Sequence, residues 1–341
     1  MTLGVAAWTA LLGASAATVT ACSDFLLNST SNVISARTMD FNLDLATAVE
    51  MVPVGTEFVE QSGFTWTNKL GFLSFNVHTL PFATDGLNTE GLSAAWLYMT
   101  DTIYPTPNLL DQSRPVVSNL CSYVLGNFAT VDEVKLGLQR IQLTGIDLSN
   151  VELAFQAGLG PLRMLPLHIS VHDAFGASIV IEFLHGTMYI VDNPLGVLTN
   201  EPAFHDQLAN LASSSAIPGG YSSSDRFVRL VHFNRMSNED TYDVLTSFTA
   251  ASQAQSGVAR ALHVLNTVVQ PIISSTFATE WIVVRDHQRR YIYIQDTESS
   301  LLRRIDLNAL DFYDVSKKQT WIIAQVGRAW YVDATDQMEI F

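Results

Sequence analysis

The chain has 341 residues, 48% of them hydrophobic and 15% charged, and a formal net charge of −15. That is globular composition, long enough for one large domain or two small ones. The acidity argues against nucleic acid or anionic lipid as a partner, and two cysteines allow at most one bridge and no cysteine-rich zinc site.

The first segment is apolar. "LGVAAWTALLGASAA" is followed by "VTA" and then Cys22, with a β-branched residue at −3 and alanine at −1 of the Ala21–Cys22 bond. Residues 1–21 therefore read as a cleaved secretory signal, although no Lys or Arg precedes Arg37. No later stretch reaches about 18 uninterrupted apolar residues. The expectation is a secreted or periplasmic protein without stable membrane insertion, and a single domain over 22–341. Cys22 itself has three readings at this point: incidental, a lipid attachment site, or an amino-terminal nucleophile.

"CSDFLL" and "VISARTM" are strand-like runs separated by the polar cluster "NSTSN". They predict a hairpin that returns Arg37 to Asp40 to the side of Cys22. Asn28-Ser29-Thr30 is a glycosylation sequon, relevant only in a eukaryotic secretory pathway. "FLSFNVHTL" and "LSAAWLYM" are strand-like, split by "ATDGLNTEG". Cys121, in the apolar run "VVSNLCSYVL", reads as a buried structural thiol. "TVDEVKLGLQRI" predicts a helix opened by a Thr130–Glu133 capping box, with Val131, Val134, Leu138 and Ile141 on one face. "AGLGPL" reads as a turn.

"LHISVHDAFGASIVIEFLHGTMYIVDN" predicts three strands, which places His168 and His172 on a strand rather than at metal-ligand spacing on a helix. Helices are predicted over "AFHDQLANLA", "DRFVRLVHFNRM" and the stretch from Asp240 to Val269. "SSSAIPGGYSSSD" between the first two reads as a long surface loop. The tail returns to strand in "EWIVVRDHQRRYIYIQD", a hairpin, and "TWIIAQV". Strands, then helices, then strands imply an α+β arrangement of helices on antiparallel sheets.

Cleavage before Cys22 would put a thiol and an α-amine on one residue. An α-amine titrates at about 7.7–8.0, so it can serve as a base near neutrality, and the thiol is intrinsically nucleophilic. A guanidinium such as Arg37 would favour the thiolate, and a carboxylate such as Asp40 would orient the amine.

These residues carry a resemblance. "CSDFLL…ISARTMDF" resembles the opening of the choloylglycine hydrolase family, the conjugated bile acid hydrolases and penicillin V acylases, which are N-terminal-nucleophile (Ntn) amidases. "TDGLNTEGLSAAWLYM", "VDNPLGVLTNEPAFHDQL" and "PGGYSSSDRFVRL" resemble three further family segments in the same order. Each is weak alone; together they are specific and span most of the chain after Cys22.

The resemblance implies a four-layer αββα sandwich, two antiparallel sheets between helices, that cleaves a linear amide C–N bond of a small-molecule N-acyl substrate. It implies Cys22 as nucleophile, Arg37 beside the thiol and Asp40 on the α-amine. Asn200 would donate its amide to the oxyanion, with the Tyr98 backbone N–H as second donor, and Arg226 would complete the network. No metal or organic cofactor is implied, and the family suggests a homotetramer.

Taken singly, Arg37 could be a surface charge, Asn200 a helix cap and Tyr98 plain core. Asp225 stands where the family has serine and could pair with Arg226. "NTEG" displaces the family's glutamate by one place, and Tyr98 is the residue of the penicillin acylases rather than the Asn of the bile acid hydrolases. Penicillin V, N-acyl homoserine lactones and conjugated bile salts are the substrate classes implied, with "MVPVG", "HTLPFATD" and "DTIYP" expected to line the acyl pocket. The competing reading is a binding protein anchored through a lipidated Cys22, without amidase activity.

Overall fold

The structure is a computed structural model that describes residues 22–29, 32–41, 44–77, 83–148, 164–238, 253–271, 278–324, 329–333 and 335. Strands β1 (Ser23–Ser29) and β2 (Asn32–Phe41) form the expected hairpin, antiparallel, with Ser23 opposite Thr38 and Asp24 opposite Arg37. They are central to a six-stranded sheet. From edge to edge it runs Val197–Thr199, β1, β2, Ala278–Asp286, Tyr291–Asp296, Ser299–Asp306, every pair antiparallel.

The second sheet has eight strands, also antiparallel throughout. Its order is Thr187–Asp192, Ser178–Leu184, Leu167–His172, Ser93–Tyr98, Asp85–Asn88, Phe72–Asn76, Ala48–Val52, Thr320–Ile322. The split between the "FLSFN" and "LSAAWLY" strands is not all turn, because Asp85–Asn88 is itself a strand. Glycine inside it reflects close backbone approach: a Cβ on Gly86 would lie 2.5 Å from Leu73 O and from Leu125 Cδ1.

Helices cover the outer faces. On the eight-stranded sheet lie α1 (Leu120–Asn127) and α2 (Val131–Gly137). On the six-stranded sheet lie α3 (Phe204–Ser213), α4 (Ser223–Asn238) and α5 (Gln253–Leu265). The order of layers is helix, sheet, sheet, helix. The capping box of α2 is present: Glu133 N–H donates to Thr130 Oγ1 at 3.2 Å and Ala129 N–H to Glu133 Oε2 at 2.7 Å. The sequence pattern did not announce α1, because six of its eight residues are buried and a helix apolar all round shows no period. Cys121 lies within it, buried and unbridged. The "AGLGPL" turn and the first half of the long helical stretch lie outside the described residues.

Alternation along β2 sorts its side chains. Ile34 meets α5, where a Cβ on Gly257 would lie 2.5 Å from its Cδ1. Ser35 and Arg37 face the other sheet. The space between the sheets is apolar near Phe75 and Trp281, whose rings stack at 5.0 Å. It is densely polar nearer the hairpin, where Asp24, Ser35, Arg37, Asp85, Ser170, His172, Arg285 and His287 are all buried. Among the described residues no helix is long and apolar enough to cross a membrane.

Candidate active site

Cys22 stands at the start of β1 with only 4% of its surface exposed. Its Sγ lies 3.7 Å from Arg37 Nη2, 3.8 Å from Met39 Sδ and 3.9 Å from the Asp40 carbonyl. The hairpin alone produces this, since the antiparallel register returns Arg37–Asp40 alongside Cys22 and Ser23. Arg37 is no surface charge. Its Nη1 donates to Asp85 Oδ2 at 2.8 Å and its Nη2 to the Trp96 carbonyl. Asp85 is gripped from behind by Arg285, through Nε at 2.9 Å and through Nη2. Arg285 also donates to Ser35 Oγ at 2.9 Å and reaches Asp24 Oδ1 at 3.4 Å. Asp24 accepts from Ser170 at 2.8 Å and faces His172 Nε2. Burial would raise the Asp24 carboxyl, yet His172 and Arg285 bring it down to about 2.

Asp40 is buried on the other side of the hairpin. Its Oδ2 accepts from Thr38 Oγ1 at 3.0 Å and its Oδ1 from Thr279 Oγ1. A shift of register at Glu280 between Thr279 and Trp281 sets Thr279 opposite Asp40, the kind of irregularity that re-aims a side chain beside a site. Glu280 itself accepts Leu45 N–H at 3.1–3.2 Å on both carboxyl oxygens.

Arg226 approaches from α4. Its Nη1 donates to the Cys22 carbonyl at 2.7 Å and to Ser23 Oγ, and its Nη2 donates to Asn200 Oδ1 at 3.1 Å. Asn200 Nδ2 donates to the Tyr98 carbonyl at 3.0 Å. Five of the six residues singled out in the sequence thus form one connected cluster through Cys22, Arg37, Arg226, Asn200 and Tyr98. Asp40 adjoins it through its own carbonyl and through the field it exerts on Cys22 and Arg226. Asn200 does not cap the following helix, whose N-cap is Ala203. Asp225 does not pair with Arg226, whose partners are those above and the Tyr221 carbonyl; its charge acts on Arg229 instead. Glu90 is exposed, so the displaced glutamate does not reach the cluster.

The electrostatics have a definite sense. Burial raises the Cys22 thiol above its ordinary value, Arg37 draws it down, and Asp40 pushes it up. Burial also pushes the Asp40 carboxyl up to about 6, against the pull of Arg226 and the bonds from Thr279 and Thr38. Burial lowers the Arg226 guanidinium despite Asp40 and Cys22. The guanidiniums of Arg37 and Arg226 do not fully offset the burial of these two acids. While residue 21 precedes Cys22, its nitrogen is a neutral amide; a free α-ammonium there would add a further cation.

Sequence reasoning missed Asp85, Thr38, Thr279 and Gln207, which hold the cluster from outside. Asp85, Thr38 and Gln207 had a signal, since they lie within the resembling segments "TDGLNTEGLSAAWLYM", "ISARTMDF" and "VDNPLGVLTNEPAFHDQL"; Thr279 had none. Among the described residues no group of three or more His, Cys, Asp or Glu could hold a metal. His168 and His172 are spent on Glu182, Thr199 and Asp24. A cavity of about 300 Å³ includes Met51, Val52 and Ala83 from two loops expected to line the acyl pocket, but none of the residues around Cys22. Residues 78–82 of the second loop lie outside the described residues.

Two antiparallel sheets between helices, with a buried cysteine at the head of a central strand and Arg226 linking it to Asn200, are the arrangement of an Ntn-type amide hydrolase. The profile of the linear amide C–N hydrolases, choloylglycine hydrolase family, matches residues 22–217, more than half the chain, and the chain belongs to that family. It is 27% identical over 312 residues to a penicillin V acylase of Pectobacterium atrosepticum, covering 82% of this chain and 78% of the relative. It is 22% identical over 312 residues to a bile salt hydrolase/transferase of Clostridium perfringens, covering 80% and 88%. The solved penicillin V acylase from Agrobacterium tumefaciens superposes with a TM-score of 0.69 at 26% identity, covering 85% of this chain and 88% of that one. A conjugated bile acid hydrolase variant from Clostridium perfringens shares the fold, with a TM-score of 0.70 at 21% identity over 88% and 96% of the two chains.

Proposed function

We propose that the chain is exported, cut between Ala21 and Cys22, and then hydrolyses the side-chain amide of an N-acyl substrate of the penicillin V or N-acyl homoserine lactone type. Conjugated bile salts are the second substrate class. The observation that carries the site is the double grip of Arg226. One guanidinium holds the carbonyl of the nucleophile residue and the side chain of Asn200 at once, so the attacking group and an amide donor share one rigid support. The family match beginning at Cys22 supports the cut. The penicillin V acylase relative and Tyr98 support the substrate class.

In this mechanism the freed α-amine takes the thiol proton and the thiolate attacks the amide carbonyl. The carbonyl oxygen becomes an oxyanion held by Asn200 Nδ2 and the Tyr98 N–H; one such donor is worth on the order of 10²–10³ in rate. The α-ammonium protonates the nitrogen as the C–N bond breaks, which releases the amine and leaves a thioester. Water, deprotonated by the α-amine, then releases the acid and the thiol. Arg37 offsets charge at sulfur, and Asp40 takes the ammonium as a partner. The burial of Cys22 between Arg37 and Met39 speaks against a lipid on its sulfur.

The test is the mass of the N-terminal peptide from exported protein, followed by a panel of penicillin V, acyl homoserine lactones and glycine- or taurine-conjugated bile salts. An unmodified Cys22 terminus with turnover lost in Cys22→Ala is the expected result. A free Cys22 terminus with no turnover of any of these amides refutes the assignment.

A further inference from the structure

The turn Thr199–Pro202 that carries Asn200 does not hold itself. Its carbonyls are turned inward, where unpaired backbone acceptors are costly, and they are satisfied by side chains from elsewhere. Most come from one residue. Gln207, on the second turn of α3, has no exposed surface. Its Oε1 accepts Thr199 N–H at 3.2 Å and lies 3.1 Å from Thr199 Oγ1. Its Nε2 faces three carbonyls: Asn200 at 2.7 Å, Pro202 at 2.8 Å and Thr199 at 3.2 Å. A glutamine is a costly residue to bury unless its amide is fully used, and here every side-chain contact goes to Thr199, Asn200 or Pro202.

The frame of Gln207 is itself fixed. Glu182 Oε1 accepts the Phe204 N–H at the start of α3 at 2.8 Å and lies 3.1 Å from His168 Nδ1. His168 Nε2 meets the Thr199 carbonyl at 2.9 Å. Two buried residues of the eight-stranded sheet thus tie down the helix that carries Gln207 and the residue before Asn200. On the side-chain end, Arg226 and the Tyr98 carbonyl fix the Asn200 amide. The backbone of Asn200 is held by Gln207 and its side chain by Arg226, from two different helices.

We infer that Gln207 is a positioning residue for the amide hydrolysis: it sets the place of the Asn200 amide and, through it, the stabilisation of the oxyanion. This rests on reading Asn200 as the oxyanion donor. Gln207 touches no reacting atom, so its effect falls on kcat and passes wholly through Asn200. Misplacement of a catalytic group by about 1 Å can cost about 10²-fold, and deleting an oxyanion donor costs about 10²–10³. Gln207→Leu is therefore expected to lower kcat by about 10- to 100-fold with KM changed by less than about threefold.

The experiment is a double-mutant cycle on the processed enzyme: wild type, Gln207→Leu, Asn200→Ala and the pair, each with kcat and KM for the amide the wild type turns over best. The expected result is that Gln207→Leu has no further effect on kcat in the Asn200→Ala background. An equal loss in both backgrounds, an unchanged kcat, or a loss confined to KM overturns the proposal. If Gln207→Leu does not fold, Gln207→Glu takes its place, which keeps the acceptor toward Thr199 and removes the donor to Asn200 and Pro202. If the wild type turns over no amide, the functional reading fails on its own, and crystal structures of wild type and Gln207→Glu decide the positioning claim. An Asn200 Nδ2 moved out of hydrogen-bond reach of the Tyr98 carbonyl supports it. An Asn200 amide left in place overturns it.

Discussion

Asp85 is the residue on which the arrangement around Arg37 depends, and Asp85→Asn isolates its charge. In the folded chain its carboxylate lies between two guanidiniums, Arg37 at 2.8 Å and Arg285 at 2.9 Å, and all three side chains have 1% exposure or less. Asparagine keeps the shape and one acceptor oxygen but removes the negative charge. Arg285 retains Asp24 at 3.4 Å. Arg37 retains the Thr84 and Trp96 carbonyls and the Cys22 and Met39 sulfurs. At an effective dielectric of about 20, opposite charges about 4 Å apart attract by about 4 kcal/mol. That agrees with the cost of about 3–5 kcal/mol for removing one partner of a buried pair. Chemical unfolding of Asp85→Asn at pH 7 is expected to show a loss in this range. The thiol supplies a second readout of fixed sign. With Asp85 neutral, the Arg37 charge beside Cys22 is less compensated, so alkylation of Cys22 by iodoacetamide should begin at lower pH than in the wild type. A stability loss below about 1 kcal/mol would mean that the cluster is not held as a charged unit. An alkylation profile shifted to higher pH would mean that Arg37 leaves the sulfur when Asp85 is neutralised.

The raised Asp40 carboxyl predicts a pH dependence for the chain that still carries residue 21. Its folded value of about 6 exceeds the ordinary 3.8, so its contribution is fully present below pH 3.8 and is lost as pH rises through 6. The difference amounts to roughly 3 kcal/mol. Measured against Asp40→Asn, wild-type stability should fall by that order between pH 4 and pH 7, and a flat difference contradicts the reading. In protein beginning at a free Cys22 the proposed α-ammonium would partner Asp40, and the fall should shrink. Gly91→Ala should destabilise by about 2 kcal/mol or more, because Gly91 has φ +82° and a Cβ there would lie 2.2 Å from the His287 carbonyl; thermal unfolding within 1 °C of wild type would refute this.

The sequence disclosed the parts whose physics is local. A polar cluster between two β-rich runs makes a hairpin whatever else the chain does, and the hairpin alone brings Arg37 and Asp40 to Cys22. The strand Asp85–Asn88 was hidden because Asp, Gly and Asn favour turns. Here they are spent otherwise: Asp85 on two arginines, Gly86 on backbone approach, Asn88 on the carbonyls of Leu125 and Phe128. Asn200 and Arg226 could not be read from local pattern at all. Arg226 is 204 residues from the carbonyl it grips, and Asn200 is 102 from its own acceptor. Only the order of four resembling segments pointed to them.

The residues that escaped notice share one property. Asp85, Thr38, Thr279 and Gln207 are polar and fully or almost fully buried, and burial of a polar group is a tertiary fact with no one-dimensional trace. Their distribution follows from what an amide-cleaving site needs. Cys22, the proposed nucleophile, is buried where the two sheets close. Shielding raises both its thiol and the Asp40 carboxyl. Cations and donors must then be buried beside them, and each buried guanidinium needs its own acceptors: Asp85 for Arg37, Asp24 and Asp85 for Arg285, the Cys22 carbonyl and Asn200 for Arg226. The polar seam between the sheets is therefore the support that a buried thiol obliges the fold to build, and it extends as far from Cys22 as the last charge that has to be balanced.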